Sequence, residues 1–529
     1  MGIINQHDKR TNITYVYQST SYWDKTKKQP RAKRTLIGKR DPTTNQIIPT
    51  DQRNKKHQQN KTQTTNNNNN TPPPPSPTII MNRKFYGATY LLDQITQKLG
   101  IEEDLKTCFP QTHKQILSIA YYLTLEDNSP LYRFEKWSQL HQHPNNQNLT
   151  SQRTSEIFSN ITENQKNQFL KQFANRHTQN EYWLYDTTTI SSYSQTLKQV
   201  KYGKNKEHDK LPQLNLALVY GQDTNLPFYY RKMAGNISDV TTLKGLLSDL
   251  ENLELEFARL KLTMDRGFYS KSNIDAMLKD HREFIIGVKL SLKFVREALD
   301  QVCEKFTTFE YYSEQYELYS TTVPLTWDSG QVFSLHLFYN IDRAAEDKKA
   351  FDRRLAARYR ELVLGKPHFE HAKCYEKYFR VEQLAEGGVR VVVNEVAVGL
   401  AKRYFGFFAL LSSEVMDSVV ALELYRNKDL VEKAFGNVKE RLNLRRALVS
   451  SEQCLDGKLF VCYIGLIFLS YLKRCMQVAG LFVHYTMQSM FDCLDVIECF
   501  EYPGQPLRVG EVTDKQKQLY KALKISPPT

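Results

Sequence analysis

The amino-acid sequence predicts a multidomain α/β protein: a mixed sheet with flanking helices, preceded by a helical region and a basic N-terminal arm and interrupted by a strand-rich insertion. Three observations lead there. The 529 residues exceed the about 100–200 of an ordinary domain. A composition of 40% hydrophobic residues, with 27 Phe, 31 Tyr and 4 Trp, can fill a core and excludes wholesale disorder. From Glu181 to Lys289, three strand-like runs are followed by alternating helix and strand patterns, the order that builds a mixed α/β sheet.

The elements follow in chain order. Residues 1–52 form the basic arm: residues 22–40 hold eight Lys and Arg, among them Lys25, Lys27, Lys28, Arg31, Lys33 and Arg34, against one acid. The flanking runs ITYVY (13–17) and TLIG (35–38) predict short strands. Residues 53–78, with Asn66–Asn70 and Pro72–Pro75, offer little to bury and predict a disordered linker. Residues 79–180 repeat apolar side chains at helical spacing (Tyr90, Leu91, Ile95, Leu99; Ile116, Ile119, Ala120, Leu123), which predicts about five helices. The helix 131–140, a short loop and a helix opened near Ser151 permit a helix-turn-helix, and a plain connector bundle is an equal alternative.

Residues 181–289 predict the first part of the sheet: strands 182–186, 214–220, 227–233, 260–265 and 283–289, with helices 239–253 and 270–280. Residues 290–401 read as an insertion with strands near 308–321, 331–340, 378–384 and 389–399 and a charged helix 342–363. Residues 402–495 return to the core through a strand 404–412, an amphipathic helix 418–447 and an apolar helix 458–476, leaving 496–529 as a tail.

A net charge of +14 favours a polyanionic partner over a small neutral substrate. The longest apolar run, Leu459–Leu472, is flanked by Lys458, Lys473 and Arg474 and falls short of the about 18–20 residues that span a bilayer, so no membrane segment is expected. MGIINQHDKR has no apolar signal region, and a cytoplasmic protein is expected. The eight cysteines contain no C-x-x-C pair and predict free thiols.

Two aspartates close predicted strands: Asp186 ends EYWLYD and Asp265 ends LKLTMD. Glu432 lies mid-helix. Three acids from two strands and a helix suit a hard divalent cation, which takes oxygen ligands. On the helix, Tyr425, Lys428, Glu432 and Lys439 stand at i, i+3, i+7 and i+14, within a sector of about 60°. Arg426 lies off that stripe.

With these residues the sequence resembles the DDE transposases of bacterial insertion sequences, in the IS-four superfamily with helix signature Y-x2-R-x3-E-x6-K. Here the signature reads Tyr425, Lys428, Glu432, Lys439, with Lys in place of Arg. Y-D-T-T (185–188), G-N-x-S-D (235–239), D-R-G-F-Y-S (265–270) and the opening segment YVYQSTSYWDKTKKQPRAKRTLIGKRDP also match. Separations of 79 residues from Asp186 to Asp265 and 167 from Asp265 to Glu432 suit an RNase H-like core with the superfamily's insertion.

The resemblance implies cut-and-paste transposition. Asp186, Asp265 and Glu432 would hold two Mg²⁺, with Mn²⁺ as a substitute. Tyr425, Lys428 and Lys439 would contact DNA at the cleaved end, together with the arm's Lys25, Lys27, Lys28, Arg31, Lys33 and Arg34. The partners implied are double-stranded DNA, as terminal inverted repeats and target, and a second copy of the chain in a homodimer, at the nucleoid of a prokaryotic host. The alternative is a catalytically inactive, transposase-derived DNA-binding protein. A glycosidase-type hydrolase predicts neither the basic arm nor the cationic stripe. His368, His371, His141 and His143 are expected to be exposed. Trp327, where the superfamily often places a base-stacking aromatic, is expected in a core at a strand edge.

Overall fold

The computed structural model describes residues 2–8, 13–24, 29–41, 46–48, 81–207, 209–253, 260–384, 388–449 and 451–529. The chain divides into two compact units, Met1–Thr78 and Ile79–Thr529. The expected linker lies outside the described residues.

In the first unit, β1 (Gly2–Asp8), β2 (Ile13–Asp24), β3 (Gln29–Arg40) and β4 (Ile47–Ile48) form an antiparallel sheet in that order. The short strands expected here form one end of a long β2–β3 ribbon that pairs from Thr14↔Arg40 to Asp24↔Gln29. Val16 is buried, while Tyr22, Trp23 and Arg34 are exposed.

The second unit opens with β5 (Asn82–Phe85), α1 (Gly87–Leu99), α2 (Ile101–Cys108), α3 (His113–Leu125), α4 (Phe134–Leu140), α5 (Ser151–Asn160) and α6 (Glu163–His177). The local chemistry accounts for their ends. Gly100 takes the left-handed conformation (φ 67°) that closes α1, and Thr162 with Gln165 forms a reciprocal cap on α6.

The strands β6 (Tyr182–Ser191), β7 (Gln213–Gly221), β8 (Pro227–Ala234), β9 (Lys261–Met264) and β10 (Glu283–Val288) follow, with α7 (Asp239–Asn252) and α8 (Lys271–Lys279) between them. After α9 (Lys293–Val302) come β11 (Tyr312–Ser313), β12 (Leu318–Thr326), β13 (Val332–Tyr339), α10 (Ile341–Val363), α11 (Ala372–Tyr378), β14 (Phe379–Gln383), β15 (Val389–Val393), α12 (Glu395–Lys402) and β16 (Phe407–Ser412). The expected strand 389–399 becomes helix α12 after Asn394, whose side chain accepts from the Ala397 N–H and caps it.

One nine-stranded mixed sheet organises the unit, in the order β11-β12-β13-β16-β10-β9-β6-β7-β8. β10, β9 and β6 run parallel to one another, and the other pairs are antiparallel. The sequence reading put 308–340 in an insertion. Within that stretch β12 and β13 extend this sheet through β16, because Leu335, Leu337 and Phe338 need the buried faces that β16 offers. The β14–β15 hairpin of the same stretch pairs apart from it.

The amphipathic helix 418–447 is interrupted. α13 (Ser418–Arg426) and α14 (Asp429–Gly436) are joined by a tight turn in which the Lys428 N–H reaches back to Tyr425 O (3.2 Å) and the Leu430 N–H to Asn427 O (2.9 Å). A π-helical turn, Asn437–Arg441, follows. α15 (Glu452–Val478) is long and apolar enough to cross a membrane, but 89% of its apolar window is buried within the protein, against α3, α5 and β8. It is the core helix around which the sheet and the N-terminal helices share one continuous apolar core.

α16 (Met487–Asp495), β17 (Glu498–Glu501), β18 (Arg508–Val509) and α17 (Asp514–Ala522) complete the chain. The segment read as a tail is packed. β17 pairs with β5, and the Tyr520 hydroxyl donates to Gly87 O (2.7 Å), because Cys499, Leu519 and Tyr520 bury their side chains there. All eight cysteines are free.

Candidate active site

The parallel pairing of β6 with β9 aligns Tyr185 with Met264. The next residue on each strand is an acid, so Asp186 and Asp265 stand side by side. Asp186 is not at a strand end, as its position in EYWLYD predicts, but inside β6, which continues to Ser191 paired with β7. β9 stops at Met264, and beyond Tyr185 one edge of β6 loses its partner. Asp186 is the one β6 residue that is not fully buried. It sits where the sheet opens.

Asp265 precedes the turn Arg266–Phe268. The Tyr425 hydroxyl, from the last turn of α13, donates to Asp265 Oδ1 (2.8 Å). Gly287 on β10 makes room for it: a Cβ at that position would lie 2.9 Å from the hydroxyl and 3.0 Å from Arg266 N. Lys428 extends its ammonium to 3.5 Å from Asp265 and 3.1 Å from Glu432, whose carboxylate is about half exposed on α14.

The two aspartates are held differently. Burial pushes Asp186 up to about 6, against the lowering pull of Lys206, the Thr187 N–H (2.7 Å) and Lys428; the neighbouring Asp265 adds to the rise. Burial also acts upward on Asp265, but Lys428, the Tyr425 hydroxyl and Arg266 outweigh it and hold its carboxyl below the ordinary aspartate value. For Lys428, burial favours the neutral amine, and the three carboxylates around it reverse the balance and keep it protonated.

Three residues without an assigned role in the sequence reading complete the Asp186 side. Lys206 donates to Thr187 O (2.7 Å) and to the Thr187 hydroxyl (3.0 Å), and its ammonium lies 3.8 Å from Asp186 and 3.5 Å from Asp239. The Thr187 hydroxyl in turn donates to Asp239 Oδ1 (2.5 Å). Asp239 was legible as the last residue of G-N-x-S-D, and Thr187 as the third of Y-D-T-T. Lys206 lies in a polar, lysine-rich connection where no pattern singles it out.

Lys439 stands apart from α14 in the helical turn that follows it. It lies in the π turn, and its ammonium is paired with Glu207, which Arg445 also approaches at 3.7 Å. Arg426, off the stripe as expected, stacks over Tyr316 at 4.6 Å. Of the arm residues, Lys25, Lys27 and Lys28 lie outside the described residues, as do the side chains of Arg31 and Lys33. Arg34 is exposed on β3.

The remaining candidates are structural. His141 and His143 are buried, contrary to the expectation of exposure. His141 stacks on Trp137 with ring centres 4.4 Å apart and reaches Asp495 at 3.0 Å, and His143 bonds Ser118 and Ser138. Trp327 is buried and donates to Asp275 (2.8 Å), a core tryptophan.

An all-oxygen donor set fits a hard divalent cation. Among the described residues no three potential ligands are already gathered around one point. The ammonium groups of Lys206 and Lys428 provide the positive charge that the carboxylates require. In donor chemistry, Asp186, Asp265 and Glu432 can hold such an ion.

No curated protein matches the chain. Among solved structures, the cryo-EM structure of the piggyBac transposase synaptic complex with hairpin DNA is similar at 11% identity and a TM-score of 0.34, over 76% of this chain and 70% of that one. The family described as "Transposase DDE domain" matches residues 135–467, a span that contains β6, β9 and α14 with all three acids. With more than half of its length matched, the chain belongs to the transposase DDE-domain family.

Proposed function

We propose that this protein is an active transposase of the IS-four type with an RNase H-like core, which cleaves DNA at the ends of a mobile element and joins them to target DNA by cut-and-paste transposition. The observation that carries the reading is the side-by-side register of Asp186 and Asp265, with Lys428 spanning Asp265 and Glu432. These acids would hold two Mg²⁺, and Mn²⁺ would substitute. When bound, the ions supply activation of the attacking oxygen, first of water and then of the element's 3′-hydroxyl, and stabilisation of the leaving oxygen.

The chain's own groups prepare that chemistry. Tyr425 fixes Asp265 through its hydroxyl. Lys206 holds Thr187 and, through it, Asp239, so that the backbone around Asp186 is set before DNA arrives. Lys428 is free to turn from the carboxylates to a phosphate once their charge is met by cations. Lys439 and the arm's Lys25, Lys27, Lys28, Arg31, Lys33 and Arg34 contribute phosphate contacts, which position DNA without reading its sequence. The working form is a homodimer on double-stranded DNA in the cytoplasm of a prokaryotic host.

The test uses the full chain and a supercoiled plasmid carrying the DNA that flanks its gene. Strand cleavage should require Mg²⁺ or Mn²⁺. Asp186→Ala, Asp265→Ala and Glu432→Gln should each abolish it while leaving plasmid binding close to that of the parent. Cleavage that survives any of these changes would remove that residue from the site. A parent chain that binds DNA and never cuts it would instead be an inactive DNA-binding derivative.

A further inference from the structure

β6 and β7 are antiparallel neighbours, yet the chain between them runs from Ser192 to Pro212, far beyond the about 2–5 residues an ordinary hairpin needs. Connections of that length in a compact fold are usually functional.

Its inner side is anchored. The Lys206 N–H donates to the Thr189 hydroxyl (3.1 Å), and Asn205 donates to Asp209 (2.6 Å). Asp209 also accepts from Ser191 and pairs with Arg446 at 2.9 Å, while Glu207 pairs with Lys439. Lys201 exchanges both backbone hydrogen bonds with Gln213. Gly203 lies so close to Gly235 that a Cβ would come within 2.0 Å of the Gly235 carbonyl oxygen. The connection is a built element held on the sheet.

Its outer side is the opposite in character. From Tyr193 to Lys204 there is no acid. Tyr193 and Tyr202 are 67% and 74% exposed, and Lys198, Lys201 and Lys204 are exposed without an ion-pair partner among the described residues. By contrast, Lys206 and Lys439, at the anchored side, are both paired. Exposed aromatic rings among unpaired cations suit unpaired bases on a phosphate backbone. The same element carries Lys206 to within 3.8 Å of Asp186, so a strand bound for the acids passes beside it.

We propose that this connection grips DNA at the cleaved end: Lys198, Lys201 and Lys204 take backbone phosphates, and Tyr193 and Tyr202 stack on bases unpaired there. The inference rests on the transposase reading and adds a DNA contact to it. The test measures binding of the full chain to a 30-base-pair duplex, blunt or with a five-nucleotide 3′ overhang, between 50 and 200 mM salt. The triple variant Lys198→Gln, Lys201→Gln, Lys204→Gln should lower the log–log salt slope by about two to three, at roughly 0.9 per lost phosphate contact. Tyr202→Ala should weaken the overhang duplex roughly tenfold and the blunt one much less, and Tyr202→Phe should restore it. If the parent binds both probes, but the triple variant keeps its slope and Tyr202→Ala binds like the parent, the grip is refuted and the transposase reading stands. If the triple variant instead loses adsorption to anionic phospholipid vesicles at an unchanged DNA slope, the surface belongs to a membrane and the proposal falls. A parent that binds neither probe overturns both readings.

Discussion

Lys428 holds its ammonium 3.5 Å from the carboxylate of Asp265, joining the turn between two helices to the end of a sheet strand 163 residues earlier in the chain. The same ammonium serves Glu432, and the Tyr425 ring lies 5.4 Å from it. A lysine so placed balances two acids, and it can pass to a phosphate when they are neutralised.

This placement separates Lys428 from its neighbour Arg426. Lys428→Ala should slow single-turnover DNA cleavage by roughly tenfold to a hundredfold, the usual worth of a charge-assisted hydrogen bond. Lys428→Arg should retain or improve the rate, because the guanidinium offers a planar fork to phosphate. Arg426→Ala loses only its stacking on Tyr316 and should cut like the parent. Equal losses at 426 and 428 would show that Lys428 has no special relation to DNA.

Acid should destabilise the protein through two buried histidines. His336 bonds Thr322 (2.8 Å) and Ser412 (2.9 Å), and burial pushes it down to about 4; His143 is pushed to about 4 by burial and by Lys84. A depressed folded-state value means that the unfolded chain takes the proton first. The stability is therefore complete above about pH 6.5 and drains away as pH falls towards 4, by on the order of 3 kcal/mol per histidine. Thermal melts across that window should show the decline, and His336→Gln should make it shallower. An unchanged pH slope in that variant would mean that His336 is not held neutral.

The contact between α5 and α15 at Gly457 is backbone to backbone with no slack. A Cβ on Gly457 would stand 2.1 Å from the Phe158 carbonyl oxygen, and backbone cannot swing away as a side chain can. Gly457→Ala should cost about 1–3 kcal/mol and lower Tm by several degrees. Gly436→Ala in α14, where nothing lies within 4 Å of the added atom, should be neutral or slightly stabilising. Equal melting of the two variants would contradict the close helix contact.

For the N-terminal arm the expected outcome is electrostatic. Replacing Lys25, Lys27, Lys28, Arg31, Lys33 and Arg34 with Gln in the full chain should weaken duplex binding and make its salt dependence shallower by about one log–log unit per lost contact. Binding isotherms at several salt concentrations decide it. An unchanged slope would assign these charges to solvent.

What the sequence determined by itself was local. The apolar runs in residues 213–221 and 227–234 and the helical spacing in 239–252 are burial patterns written within a few residues, and strands and helices stand there within a residue or two of expectation. Asp186, Asp265, Tyr425, Lys428 and Glu432 were legible for the same reason, as acids beside apolar strand runs and as a stripe on one helix. What only the tertiary structure decided depends on partners far apart in the chain. Sheet order drew β12 and β13 into the main sheet and closed β17 on β5. Parallel register, ending at Met264, put Asp186 inside a strand yet beside Asp265. Folding paired Lys439 with Glu207, and core packing buried His141 and His143. Hydrophobic period specifies which face of an element is covered, but not by what; the covering partner is chosen by register and by which apolar surfaces remain to be buried once the chain has folded back on itself.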